Sequence, residues 1–124
     1  MLVSKLVVNA VINPLTAILE VENGRLITNQ YYFHVLKTVY FEVASILNLE
    51  NREEHLQQII NICKNTSSNR SSMLNDIEAK RITEVDAILG FILDEAYKKN
   101  LKAPQIENLY YLIKGKETIK GEYS

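Results

Sequence analysis

Lys5-Leu-Val-Val-Asn9-Ala-Val-Ile-Asn13-Pro14-Leu15-Thr16-Ala17-Ile18-Leu19 is almost wholly apolar, yet Lys5, Asn9 and Asn13 recur in it at every fourth position. At 100° per residue a step of four drifts by only about 40°, so in a helix an ammonium and two carboxamides share one face over roughly 12 Å. The segment from Leu2 to Leu19 therefore predicts a largely buried helix with one polar line along it. It is expected to be neither a signal peptide nor a membrane span. Ser4, Lys5, Asn9, Asn13 and Thr16 interrupt it, Pro14 lies inside it, and no small-residue cleavage pattern precedes Glu20. An isolated lysine with unpaired amides would also be costly in lipid.

Outward from that helix the periodicity stays helical. Val21-Glu22-Asn23-Gly24 reads as a turn, because Asn and Gly tolerate positive φ. Tyr32, Val35, Leu36, Val39, Val43 and Ile46 fall at three- and four-residue spacing and predict a helix from Gln30 to Leu47. Asn51 with Glu54 offers a capping pair for a third helix through Leu56, Ile59 and Cys63. The polar stretch Asn65-Thr66-Ser67-Ser68-Asn69-Arg70 is a loop, after which Ser71 or Ser72 can cap a helix through Met73, Leu74 and Ile77. A break near Arg81 to Thr83, with Thr83 and Asp86 as a cap, predicts a helix from Glu84 to Lys99. Pro104 opens the last helix, whose apolar stripe includes Ile106, Leu109 and Ile113; beyond Glu117 the tail is expected to fray. No hairpin turn, sustained alternation or fixed-period repeat occurs, so the expected fold class is all-α, a single multi-helix domain.

Bulk properties narrow the partners. A chain of 124 residues suits one domain with one core, and its net charge of −1 gives no reason to expect nucleic acid. The lysines between Lys98 and Lys120 are diluted by Glu107 and Glu117 and read as a solvated face. Cys63 is the only cysteine, which excludes an internal disulfide and a cysteine metal cluster and suits the reducing cytoplasm. It reads as a small core residue. His34 and His55 lie in no recognisable catalytic or metal-binding motif.

The polar line can do two things. Each amide can bond a neighbouring helix terminus, since buried polar groups find partners. Alternatively, the set can grip a carboxylate or keto ligand, with the ammonium supplying charge and a proton and the amides supplying directional donors and acceptors. A general acid on a carbonyl oxygen is within a lysine's chemistry.

Lys5 to Ala17 followed by Asn23-Gly24, then Asn69-Arg70-Ser71-Ser72-Met73-Leu74-Asn75-Asp76 and Arg81-Ile82-Thr83-Glu84-Val85-Asp86, closely resembles the C-terminal helical domain of the ketopantoate reductase family. The Leu109-Tyr110-Tyr111-Leu112-Ile113-Lys114 ending fits as well. This resemblance implies reduction of 2-dehydropantoate to pantoate with NADPH, a step of pantothenate and coenzyme A biosynthesis. By position it makes Lys5 the proton donor. Asn9, Asn13, Asn23 and Ser72 become substrate-binding residues, and Glu84 a residue beside substrate and cofactor. Taken alone, Ser72 is a plausible N-cap, Asn23 a turn residue and Glu84 a first-turn carboxylate favoured by the helix dipole.

The family's dinucleotide-binding half opens with a Gly-rich turn, whereas the four glycines here include no G-x-G-x-x-G. The expectation is that NADPH is held mainly by an N-terminal Rossmann domain outside this chain, and that the chain alone lacks reductase activity. The surface left open without that domain would allow self-association as a homodimer. Two other readings stay in play: a reductase of another 2-oxo acid, and a free-standing helical binding or assembly module.

Overall fold

The computed structural model describes residues 2–118. Among these, every regular element is helical: α1 (Lys5–Leu19), α2 (Arg25–Thr28), α3 (Gln30–Ile46), α4 (Arg52–Asn65), α5 (Ser72–Glu78), a wide π-helical turn (Asp86–Gly90) that runs on into α6 (Phe91–Lys98), and α7 (Pro104–Glu117). The all-α expectation holds.

Helix α1 is the hub. Val7, Ala10, Val11, Ile12, Leu15 and Ala17 are buried around its circumference, and it packs against α5, α3, α7, α2 and the π turn. A helix apolar on nearly all sides can lie only at the centre of a fold. It starts at Lys5 rather than Leu2, because the Ser4 hydroxyl accepts from the Val7 N–H and sets the first turn. Pro14 does not end it, although proline cannot donate the N–H that would close on the carbonyl four residues back. The end comes at Glu20, in the left-handed region at φ 57°.

Side chains from other helices close several helix ends. Glu42 of α3 accepts from the Gln105 and Ile106 N–H groups at 3.1 and 2.8 Å, supplying negative charge where α7 begins. Lys99 donates to the Ile46 carbonyl at the end of α3, so one lysine of the predicted solvated run has a structural task. The Tyr40 hydroxyl, on a fully buried ring, donates to the Arg52 carbonyl at 2.7 Å and fixes α3 against the start of α4. Cys63 is buried as expected, and burial pushes its thiol up to about 11.

Two local expectations need correction, and one element went unpredicted. Asn51 does not cap α4 with its side chain; it sits at φ 53°, where asparagine tolerates a left-handed backbone, and serves as the turn itself. The short helix α2 was not legible, since four residues carry no periodicity. The second correction concerns Thr83 and Asp86. The Thr83 hydroxyl does accept from the Val85 N–H at 3.1 Å, but Asp86 does not complete a capping box. Its place is taken by Glu117 of α7, whose Oε2 accepts both the Thr83 N–H, at 2.9 Å, and the Thr83 hydroxyl. Asp86 instead accepts from the Tyr110 hydroxyl and from Lys114. The expected fraying after Glu117 concerns residues that lie, apart from Thr118, outside the described ones.

Candidate functional site

Helix α1 carries its polar line from surface to interior. Lys5 is exposed, Asn9 half-buried and Asn13 8% exposed, so the face descends into the fold as the chain proceeds. No side-chain hydrogen bond or ion pair engages Lys5 or Asn9 among the described residues. Asn13 reaches a different segment: its Nδ2 donates to the Ser72 hydroxyl at 3.4 Å.

The choice between Ser71 and Ser72 as cap of α5 is decided by position. Ser71 accepts from the Leu74 N–H at 3.1 Å, which frees Ser72 in the first turn to face Asn13. Ser71 also meets Thr16 of α1, hydroxyl to hydroxyl at 2.6 Å. Thr16 is fully buried, and its oxygen lies 3.0 Å from each of the Ile12 and Asn13 carbonyls.

Asn23 is fastened to the loop that leads into Ser72. Its backbone N–H donates to the Asn69 carbonyl at 3.0 Å, and the next N–H, from Gly24, to the Ser67 carbonyl at 3.0 Å. The Asn23 Nδ2 donates to Thr66, whose own proton goes to the Ile62 carbonyl. That leaves the Asn23 Oδ1 buried with no hydrogen-bond partner among the described residues. Gly24 is needed for a reason the sequence did not reveal. Its φ is −64°, so positive φ is not the requirement; a Cβ there would stand 2.5 Å from the Ser67 Cβ.

Glu84 stands apart. It is exposed at the turn before the π segment and has no side-chain partner among the described residues. No side-chain hydrogen bond links it to the other five predicted residues. Its neighbours on both sides are held by α7, Thr83 through Glu117 and Asp86 through Tyr110 and Lys114. The Tyr110 hydroxyl and then Lys114 hold the Asp86 carboxyl below the usual carboxylate range, while the hydrogen bond to Glu117, then that to Asp86, raises the Lys114 ammonium. A groove of about 540 Å³ between α6 and α7, lined by Leu93, Tyr97, Leu101, Pro104 and Tyr111, contains none of the six predicted residues.

The residues that sequence reasoning missed are Thr16, Thr66 and Ser71, each of which holds a predicted site residue or its neighbour. The signal for Thr16 was available: a hydroxyl on a helix with apolar residues all round. Thr66 and Ser71 carry no such mark, because they lie in a polar loop where any hydroxyl looks like turn chemistry.

Fold and site together define a class of protein: a helical domain whose hub helix carries one line of an ammonium and two amides from the surface into the interior. Residues 1–117 match the family described as Ketopantoate reductase PanE/ApbA C terminal, and the chain belongs to that family. It is 47% identical over 117 residues to the 2-dehydropantoate 2-reductase of Bacillus subtilis (strain 168), covering 94% of this chain and 39% of that protein. Among solved structures it is similar to the probable 2-dehydropantoate 2-reductase panE from Bacillus subtilis, with a TM-score of 0.89, 47% identity and coverage of 90% of this chain and 38% of that one. It is also similar, at 27% identity and a TM-score of 0.81, to a D-mandelate dehydrogenase solved with NADH, covering 91% of this chain and 40% of that one. The chain therefore spans about two-fifths of the length of the relatives it matches.

Proposed function

We propose that this chain is the substrate-gripping half of an NADPH-dependent 2-dehydropantoate 2-reductase, which makes pantoate for pantothenate and coenzyme A biosynthesis in the cytoplasm. The single observation that carries this reading is the Asn13 to Ser72 side-chain hydrogen bond, which joins two segments 59 residues apart directly below the open Asn9 and Lys5 on α1. In this reading Asn9, Asn13, Asn23 and Ser72 hold the 2-oxo acid. Lys5 stands at the open end of the line, where an ammonium can attract the carboxylate and give a proton to the keto oxygen as charge develops there.

When bound, NADPH would supply the hydride. The three described glycines do not form its phosphate cradle: Gly24 is packed on Ser67, while Gly90 and Gly115 lie within helical segments. A Rossmann domain outside this chain is accordingly proposed to hold the cofactor, with Glu84, which has no side-chain partner among the described residues, facing its edge. The D-mandelate dehydrogenase likeness keeps a second reading in view, the same chemistry on another 2-oxo acid.

The test joins this chain in frame to the portion of the Bacillus subtilis relative that it does not cover. The fusion is expected to oxidise NADPH when 2-dehydropantoate is added, while the chain alone does not. Lys5→Ala should lower kcat by about 10²–10⁴-fold, the usual range for removing a general acid. Turnover unchanged by that substitution would remove the proton-donor role, and a fusion active only on other 2-oxo acids would favour the second reading.

A further inference from the structure

We propose that Thr16 and Ser71 are positioning residues: their buried hydroxyl pair sets the distance between Asn13 and Ser72 and so shapes the ligand grip. The proposal rests on the reading that Asn13 and Ser72 hold substrate, and it names residues that reading does not include.

The directions of the bonds follow from counting protons. Each hydroxyl has one proton to donate. Thr16 lies 3.0 Å from the carbonyls of Ile12 and Asn13, and a carbonyl can only accept, so the Thr16 proton goes to one of them. The Ser71 proton then goes to Thr16, and Ser71 accepts from the Leu74 N–H at 3.1 Å. The result is a one-way chain from the Leu74 amide through Ser71 and Thr16 to the backbone of α1. It runs through the interior: Thr16 is 0% and Ser71 7% exposed.

Two features make this pin specific to the site. Ser71 is the residue before Ser72, so fixing Ser71 fixes where the first turn of α5 presents the Ser72 hydroxyl. Asn13 precedes Pro14, a position at which helical backbone is disfavoured by the proline ring. Asn13 is nevertheless inside α1, and its carbonyl is one of the two acceptors facing Thr16. One hydroxyl pair thus controls both ends of the 3.4 Å Asn13 to Ser72 contact.

The experiment uses Thr16→Val, which keeps the shape and removes the hydroxyl, with Thr16→Ser as the conservative rescue and Ser71→Ala as an independent break from the other side. In 15N-labelled chain the Asn13 side-chain NH₂ pair is identified by its loss in Asn13→Asp. The expected result is that Thr16→Val and Ser71→Ala each move this pair and that Thr16→Ser returns it to its original position. Exchange of the Leu74 amide should quicken at least tenfold in Ser71→Ala. A role in stability alone would lower the unfolding temperature while leaving the Asn13 pair in place, and that result would overturn the proposal. Titration with pantoate then separates this proposal from the function reading. An unmodified chain whose Asn9, Asn13 and Ser72 signals ignore pantoate counts against substrate holding, while the Asn13 pair still decides the pin. If pantoate does bind, the dissociation constant should rise about tenfold in Thr16→Val and recover in Thr16→Ser; an unchanged constant would refute the pin.

Discussion

Both ring nitrogens of His55 are buried without a hydrogen-bond partner among the described residues, on a side chain only 5% exposed. An imidazole carries at least one N–H donor, and burying such a group unpaired costs about 1–3 kcal/mol. His55→Leu, similar in size and lacking those groups, is therefore expected to stabilise the chain by about 1 kcal/mol, read from the urea midpoint at pH 7. Asp86 shows the opposite situation, a carboxylate well supplied with donors. Its depressed pKa means that its contribution is present above the ordinary unfolded value and is lost as pH falls through the lower folded one. Tyr110→Phe removes the largest cause and should raise the Asp86 carboxyl titration midpoint followed by NMR. Because the Asp86 side chain is 64% exposed, the accompanying change in stability should stay below about 0.5 kcal/mol. At this scale the sequence marked residue types well: Lys5, Asn9 and Asn13 do form one face. It could not mark the work of Ser71, since what a loop hydroxyl does depends on which atoms lie within 3 Å of it.

At the scale of elements, α7 is the piece whose role the sequence understated. Its apolar stripe and its start at Pro104 were readable, yet its last turn organises the helix that precedes it. Glu117 lies at the C-terminal end of α7, where a carboxylate opposes the helix dipole. It is kept there with a side chain only 4% exposed, neutralised by Lys114 and filled by the two Thr83 donors. Glu117→Ala is expected to cost about 2–3 kcal/mol because it strands the Thr83 N–H. In a double-mutant cycle with Thr83→Val the two losses should fall short of additive by about 1 kcal/mol or more. Additive losses would mean that the two residues act separately. A capping box within one segment was a reasonable reading of Thr83 and Asp86. A side chain 34 residues away displaced it, and local pattern has no access to such a competitor.

For the whole molecule the decisive fact is that one helix forms the centre, with α2, α3, α5, α7 and the π turn packed on it and α4 and α6 packed in turn on that shell. Cys63, with no exposed surface, reports on that packing as a unit. At pH 8 its reaction with a thiol reagent should be slow and should follow global opening; rapid labelling of the folded chain would show that α4 opens by itself. Burial raises the thiol from 9.0 to about 11, so the stability tied to its proton is complete below pH 9 and declines as pH rises toward 11. The sequence by itself determined the class of fold, most helix boundaries and the polar line on α1, because apolar period, caps, proline and polar loops act over a few residues. Tertiary structure alone decided that this line descends from an open Lys5 to a buried Asn13, that Ser72 rather than Ser71 meets it, and that Gly24 is required by the approach of Ser67. These depend on which helices lie beside α1, and that is fixed by packing distances between segments up to 59 residues apart.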